Sequence, residues 1–292
     1  MVAGAIMLSL AMLATPAQAA GREKGEFWAF DMTLSTGIMS MQAEVSGHVT
    51  FTVVGWAETT VGGSDYDTNV ISVDGSLNGS VYLLDRMVGG VELSLSGTQH
   101  EVTGSLGILE EDMTTISDVV LKAGLFSFNY HLQEQVIITA NPPALADFDP
   151  NGASVGDSWA RTIGLETTSR TWKEGQATNT TKTQANLNYS LAVIASETVE
   201  TPSGAHSAIK IRVSEDAGNY DFYWWSSEVG YFVKQESYGD GVDLPSMTMV
   251  LTDYGTTSSS DWTAYIVVGA VVFVAAALVL ALVVLRKRPG RT

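Results

Sequence analysis

Between Phe27 and Tyr254, apolar and polar residues alternate with a period of two, in short runs broken by Gly, Asn, Asp and Ser. Successive side chains of an extended chain point to opposite faces, so this period predicts strands with one buried face. The clearest runs are residues 45–54, 91–95, 205–213 (with Ala208, Ile209, Ile211 and Val213 apolar) and 220–225. Residues 116–124 are where a local departure from the pattern is expected. Many short strands separated by Gly-rich turns predict an all-β fold: a long antiparallel meander forming a curved sheet or half-barrel, because open strand edges invite aggregation.

A weak repeat runs through this meander. The segment Val53-Val54-Gly55-Trp56-Ala57-Glu58-Thr59 has an echo in Val193-Ile194-Ala195-Ser196-Glu197-Thr198-Val199, and a Gly-containing turn and another strand follow each. Two similar halves are therefore an option, residues 20–145 and 146–255, joined where Asn141-Pro142-Pro143 and residues 147–157 read as a connector.

Two segments depart from the alternation altogether. Residues 264–285 (AYIVVGAVVFVAAALVLALVVL) carry no charge. At about 1.5 Å per residue they reach about 33 Å, enough to cross a hydrocarbon core of about 30 Å as one helix. The tail 286–292 (RKRPGRT) is basic and the other flank holds Asp261, which predicts a cytoplasmic C-terminus, with Trp262 and Tyr265 at the outer boundary. At the other end, residues 3–14 are apolar and Ala17-Gln18-Ala19 offers the small residues of a cleavage site, so residues 1–19 read as a signal peptide. Residues 256–263 form a short stalk, which keeps the β region close to the bilayer. The expected location is the cell membrane, single-pass, with the N-terminal part extracytoplasmic.

Composition narrows the function classes. All 32 acids precede the predicted span while four of the 15 bases follow it, so the exterior part is strongly acidic and repels nucleic acid. With no cysteine, thiol catalysis and Cys-ligated metal sites are excluded, and stability must come from a large core. Asn78-Gly79-Ser80, Asn179-Thr180-Thr181 and Asn188-Tyr189-Ser190 are acceptor triplets for N-glycosylation.

Candidate chemistry is sparse. Asp147, Asp149 and Asn151 alternate before Gly152 as oxygen ligands of a calcium loop do, although position twelve is Ser158 rather than Glu and a turn-rich connector has the same composition. No other cofactor is suggested. Ser207 and Lys210 have the Ser-x-x-Lys spacing of some acyl-transfer enzymes, but on a strand residues three apart face opposite ways. His48, His100, His131 and His206 are scattered singly, and Glu110-Glu111-Asp112 reads as solvated acids at a turn. Tyr220, Phe222 and Trp224 would line one face of a strand and Tyr223 and Trp225 the other; Tyr223, Trp224 and Trp225 are the candidate ligand-binding residues, with at least one face in the core.

The second half carries a resemblance. Residues 197–204 (ETVETPSG), then Ala208-Ile209-Lys210-Ile211, then residues 223–234 (YWWSSEVGYFVK) resemble a pattern in secreted bacterial and archaeal β-domains of uncharacterised function. Those domains are similar in architecture to the half-barrels of lipoprotein-carrier and lipoprotein-localisation proteins, and the match lies mainly over residues 190–240. The resemblance implies a curved sheet and an extracytoplasmic location. The expected function is a non-enzymatic structural or recognition role of a surface-anchored β-protein at the cell envelope, beside membrane or envelope partners. The alternative is a carrier of a lipid or other apolar ligand in a half-barrel cavity, and the third is a hydrolase, for which no constellation of nucleophile, base and oxyanion donor can be assembled.

Overall fold

The computed structural model describes residues 22–257, apart from residues 39–40, 85, 106, 124–125, 146–147, 174–175, 216–217 and 240–243. The signal segment, the apolar run 264–285 and the basic tail lie outside the described residues. Among those described, no helix is long and apolar enough to cross a membrane. Contacts divide the chain into two units, Met1–Gly255 and Thr256–Thr292, and the barrel described below is the first.

The alternating runs form twelve strands: β1 (Glu26–Ile38), β2 (Met41–Val61), β3 (Ser64–Leu83), β4 (Arg86–Val102), β5 (Ile108–Ala123), β6 (Phe126–Ala144), β7 (Ser158–Lys173), β8 (Gln176–Thr201), β9 (Gly204–Glu215), β10 (Tyr220–Ser226), β11 (Tyr231–Tyr238) and β12 (Met247–Thr256). Each pairs with its sequence neighbour, and β1 pairs with β12, so the meander is a closed barrel. This corrects the expected curved sheet or half-barrel. Closure leaves neither β1 nor β12 as an open edge, the strongest remedy for the aggregation problem that edges pose. Residues 116–124 are no exception either, since β5 continues through them to Ala123.

Burial follows the pleat. Trp28, Phe30, Met32 and Leu34 of β1 are buried, as are Val49, Phe51 and Val53 of β2, Ile71, Val73 and Leu77 of β3, and Met247, Met249 and Leu251 of β12. They belong to one contiguous apolar core inside the barrel. Outward positions are polar: Asp74, Ser76 and Asn78 on β3, Glu92, Ser94 and Ser96 on β4 are all exposed. A barrel that spans a membrane on its strands has the reverse arrangement, an apolar outer band around a polar interior. Where two strands come very close, glycine is required: a Cβ on Gly79 would lie 1.8 Å from the Glu44 carbonyl oxygen on the paired strand.

The echoing segments share a structural feature. Strand β2 shifts register between Val53 and Gly55 against β3, and β8 shifts between Val193 and Ala195 against β9, so Val54 and Ile194 are the extra residues of two β-bulges. The strands lie in one barrel, with residues 145–157 connecting β6 to β7.

The wall is uneven. Strand β8 has 26 residues and β10 only 7, and residues 176–186 of β8 are exposed at every position. The β7–β8 hairpin therefore projects past the packed core. The hairpin turns β1–β2, β3–β4, β5–β6 and β7–β8 lie at what we term the far end, and β1 begins at the near end. Seven of the large hydrophobic residues left exposed gather at the far end: Leu83, Leu84, Met87, Val120, Phe128, Tyr130 and Leu244.

Candidate recognition face and buried polar cluster

Strand β10 is the densest aromatic stretch, and its period-two pattern sorts the rings. Tyr223 and Trp225 face the core with exposures of 1% and 2%. Tyr223 packs 5.0 Å from Phe232 and Trp225 5.5 Å from it, between ring centroids. Trp224 is also buried, at 4%, but by different neighbours. The ammonium groups of Lys210 and Lys234 lie 4.5 Å and 4.6 Å from its ring, and its Nε1 donates a hydrogen bond to Glu197 at 2.5 Å. None of the three candidate residues Tyr223, Trp224 and Trp225 thus presents an open ring face.

The half-buried rings beside them form a ladder. Tyr220 stacks on Tyr238 at 4.9 Å, Phe222 lies 5.7 Å from Tyr238 and 6.0 Å from Trp224. Cations cover this ladder: Lys210 is 4.2 Å from the Phe222 ring and Arg212 is 4.5 Å from Tyr220. Such contacts are worth about 0.5–1 kcal/mol each at exposed sites, and the alkyl stems shield ring surface from water. Glu236 completes the face, paired with Lys234 at 2.7 Å and accepting from the Tyr238 hydroxyl at 2.8 Å. Burial pushes the Glu236 carboxyl up, but its bonds from Lys234 and Tyr238 outweigh this and its pKa is lowered. Sequence reasoning named Tyr220, Phe222 and Trp224 but missed Tyr238, Arg212 and Lys234. Their signal was the register, in which Arg212 pairs with Phe222 and Lys234 with Trp224, and pairing is not written in the local sequence.

A second constellation lies inside the barrel. The Arg22 guanidinium sits 4.4 Å over the Trp28 ring, which stacks on Tyr231 at 4.4 Å, and Arg22 Nε donates to Glu101 at 3.2 Å. Asn69 pairs with Glu101 across the β3–β4 ladder, and Gln99 pairs with Glu111 across β4–β5. Glu111 is 3% exposed, and its Oε2 has no hydrogen-bonding partner. This corrects the reading of Glu110-Glu111-Asp112 as solvated turn acids: they lie on β5, where Leu109, Glu111 and Met113 alternate inward. Burial alone raises the Glu111 pKa to about 8. Burial also raises Glu101, against the pull of Arg22, to about 8. With both values near 8, each carboxyl keeps its proton at neutral pH. Further along the core, burial raises Asp221 to about 7, opposed by hydrogen bonds from Ser237 and Tyr223. All three carboxyls are buried in the barrel.

The remaining candidates stay apart. Asp147 lies outside the described residues, and exposed Asp149 accepts from the Asn151 backbone at 3.0 Å, a turn-stabilising bond. Among the described residues no three His, Asp or Glu side chains converge as a metal site would need. His48 pairs with Asp31 and His131 with Asp118, both at 2.6 Å, His100 meets Thr59 at 2.9 Å, and His206 meets Ser203 at 2.9 Å. Ser207 is exposed on β9 while Lys210 is held over Phe222 and Trp224, so the Ser-x-x-Lys spacing assembles no dyad. Asn78, Asn179 and Asn188 are all exposed, and Asn188 accepts from Thr162 at 2.6 Å.

No family model matches the chain, and no curated protein does. Among solved structures it is similar to a protein of Bacteroides fragilis with a YmcC-like fold, inferred to be exported. That match has 14% identity and a TM-score of 0.30, and covers 84% of this chain and 99% of the other.

Proposed function

We propose that this is a non-enzymatic recognition barrel of the cell envelope, held at the outer membrane surface by the apolar run 264–285, and that it meets an acidic partner surface through the outer face of β9–β11. The observation that carries the reading is the cation-covered aromatic ladder of Lys210, Arg212, Lys234, Tyr220, Phe222 and Tyr238. It gathers three cations on one face of an exterior in which acids far outnumber bases. Aromatic and arginine side chains are also the types that dominate binding energy at interfaces. The apolar space among the core residues is about 240 Å³, below the roughly 300–1,000 Å³ of ordinary ligand pockets, and this speaks against carriage of a whole lipid.

The test is photo-crosslinking of the full-length protein in its host membrane. A crosslinking residue placed at Tyr220 or Arg212 is expected to give discrete adducts that vanish in high salt. The same residue at Asn78, on the outer face of β3, should give none. Equal adducts from all three positions, or adducts only from Asn78, would overturn the reading.

A further inference from the structure

The connector between β6 and β7 covers a cavity of about 240 Å³ that the recognition face does not use. Its walls are mostly apolar: Phe148 meets Trp159 edge-on at 5.0 Å, and Tyr66, Tyr189, Ile163 and Leu191 are among the other lining residues. At its start the Leu145 backbone N–H donates to the Tyr189 hydroxyl at 3.0 Å, which holds Leu145 against the cavity wall. At about 30 Å³ per water-sized element, the space equals about eight such elements, enough for a six-membered ring or a short alkyl chain.

One charged side chain, Arg161, lines both this cavity and an adjoining polar groove that holds Thr162, Asn188 and Glu215. A guanidinium has five N–H donors in a planar fork suited to a carboxylate, so it can hold an arriving acceptor alongside contacts within the fold. Glu215 limits the charge the site tolerates: a doubly charged phosphate would meet a carboxylate in the same groove, whereas a singly charged head at the Arg161 boundary would not have to enter it. We propose that this cavity binds a small apolar carboxylate, its ring or short chain among Phe148, Trp159 and Leu191 and its head on Arg161. None of Lys210, Arg212, Tyr220, Phe222, Lys234 and Tyr238 lines the cavity, so the proposal stands or falls independently of that reading.

The experiment uses the full-length protein in lipid nanodiscs, with empty nanodiscs as the blank for partition into lipid. Line broadening of 4-fluorobenzoate in ¹⁹F spectra reports binding, with 4-fluorobenzamide as a neutral ligand of the same shape. Benzoate should bind with a dissociation constant of about 1 mM or tighter, and benzamide about tenfold more weakly. In Arg161→Gln, an exposed position whose substitution leaves the core intact, benzoate should fall to the benzamide level. No broadening above the blank up to about 10 mM, equal binding of the two ligands, or benzoate binding unchanged in Arg161→Gln would each overturn the proposal.

Discussion

Glu111→Gln tests the buried cluster most directly, because among the described residues its Oε2 has no partner whose loss would confuse the result. In the folded chain burial raises its pKa from 4.5 to about 8. As pH rises through about 4.5 the unfolded chain releases this proton while the folded chain keeps it, so the folded state binds more protons and its stability falls. The fall continues until the folded group itself ionises near pH 8. At about 1.4 kcal/mol per unit, the penalty is about 3 kcal/mol at pH 7 and levels off near 5 kcal/mol above pH 8. Glutamine cannot ionise, so the stability of Glu111→Gln relative to the parent should climb by these amounts between pH 4.5 and 8. Glu101 and Asp221 also titrate in this window, but in both proteins, and so they cancel to first order in the difference. Urea unfolding of the full-length protein in mild detergent, followed by the fluorescence of buried Trp28 and Trp225, measures it. A difference that does not change with pH would refute the assignment of Glu111 as a buried, unpaired acid.

Trp225→Ala should cost about 3–5 kcal/mol, the range for emptying a buried aromatic site, whereas Trp224→Ala should cost clearly less, since flexible lysine stems can close over the gap. Equal losses in denaturant unfolding would contradict the placement of the two rings on opposite faces of β10. Gly79→Ala should lower the melting temperature by at least several degrees, because the new methyl meets the backbone of Glu44 and Val45, while Gly55→Ala, with open space around it, should be tolerated. Similar melting temperatures for the two variants would rule out the close strand approach at Gly79.

What the sequence made legible was local. Residues 45–54, 91–95, 205–213 and 220–225 all fall within strands, because a half-buried strand writes its two faces directly into the order of residues. Closure is a pairing of β1 with β12, more than two hundred residues apart, and no local pattern encodes it. The aromatic ladder was half legible for the same reason: Tyr220, Phe222 and Trp224 belong to one strand, but Arg212, Lys234 and Tyr238 reach them only across neighbouring strands. Glu111 had a signal that its charge concealed. Leu109 and Met113 flank it at a spacing of two, and that alternation, followed without regard to residue type, points the carboxyl inward.

An even number of antiparallel strands returns the chain to the mouth from which it set out, so β12 ends beside the start of β1. At the opposite mouth β1 passes to β2, β3 to β4, β5 to β6, β7 to β8, β9 to β10 and β11 to β12. A change of length or sequence in any of those turns alters one local loop and displaces neither chain end, and lengthening a loop costs only about 0.6 kcal/mol per doubling. The two mouths therefore differ in their freedom to diverge: related barrels would be expected to keep the first, which carries both ends of the barrel, and to vary the second, where Leu84, Met87 and Phe128 are exposed.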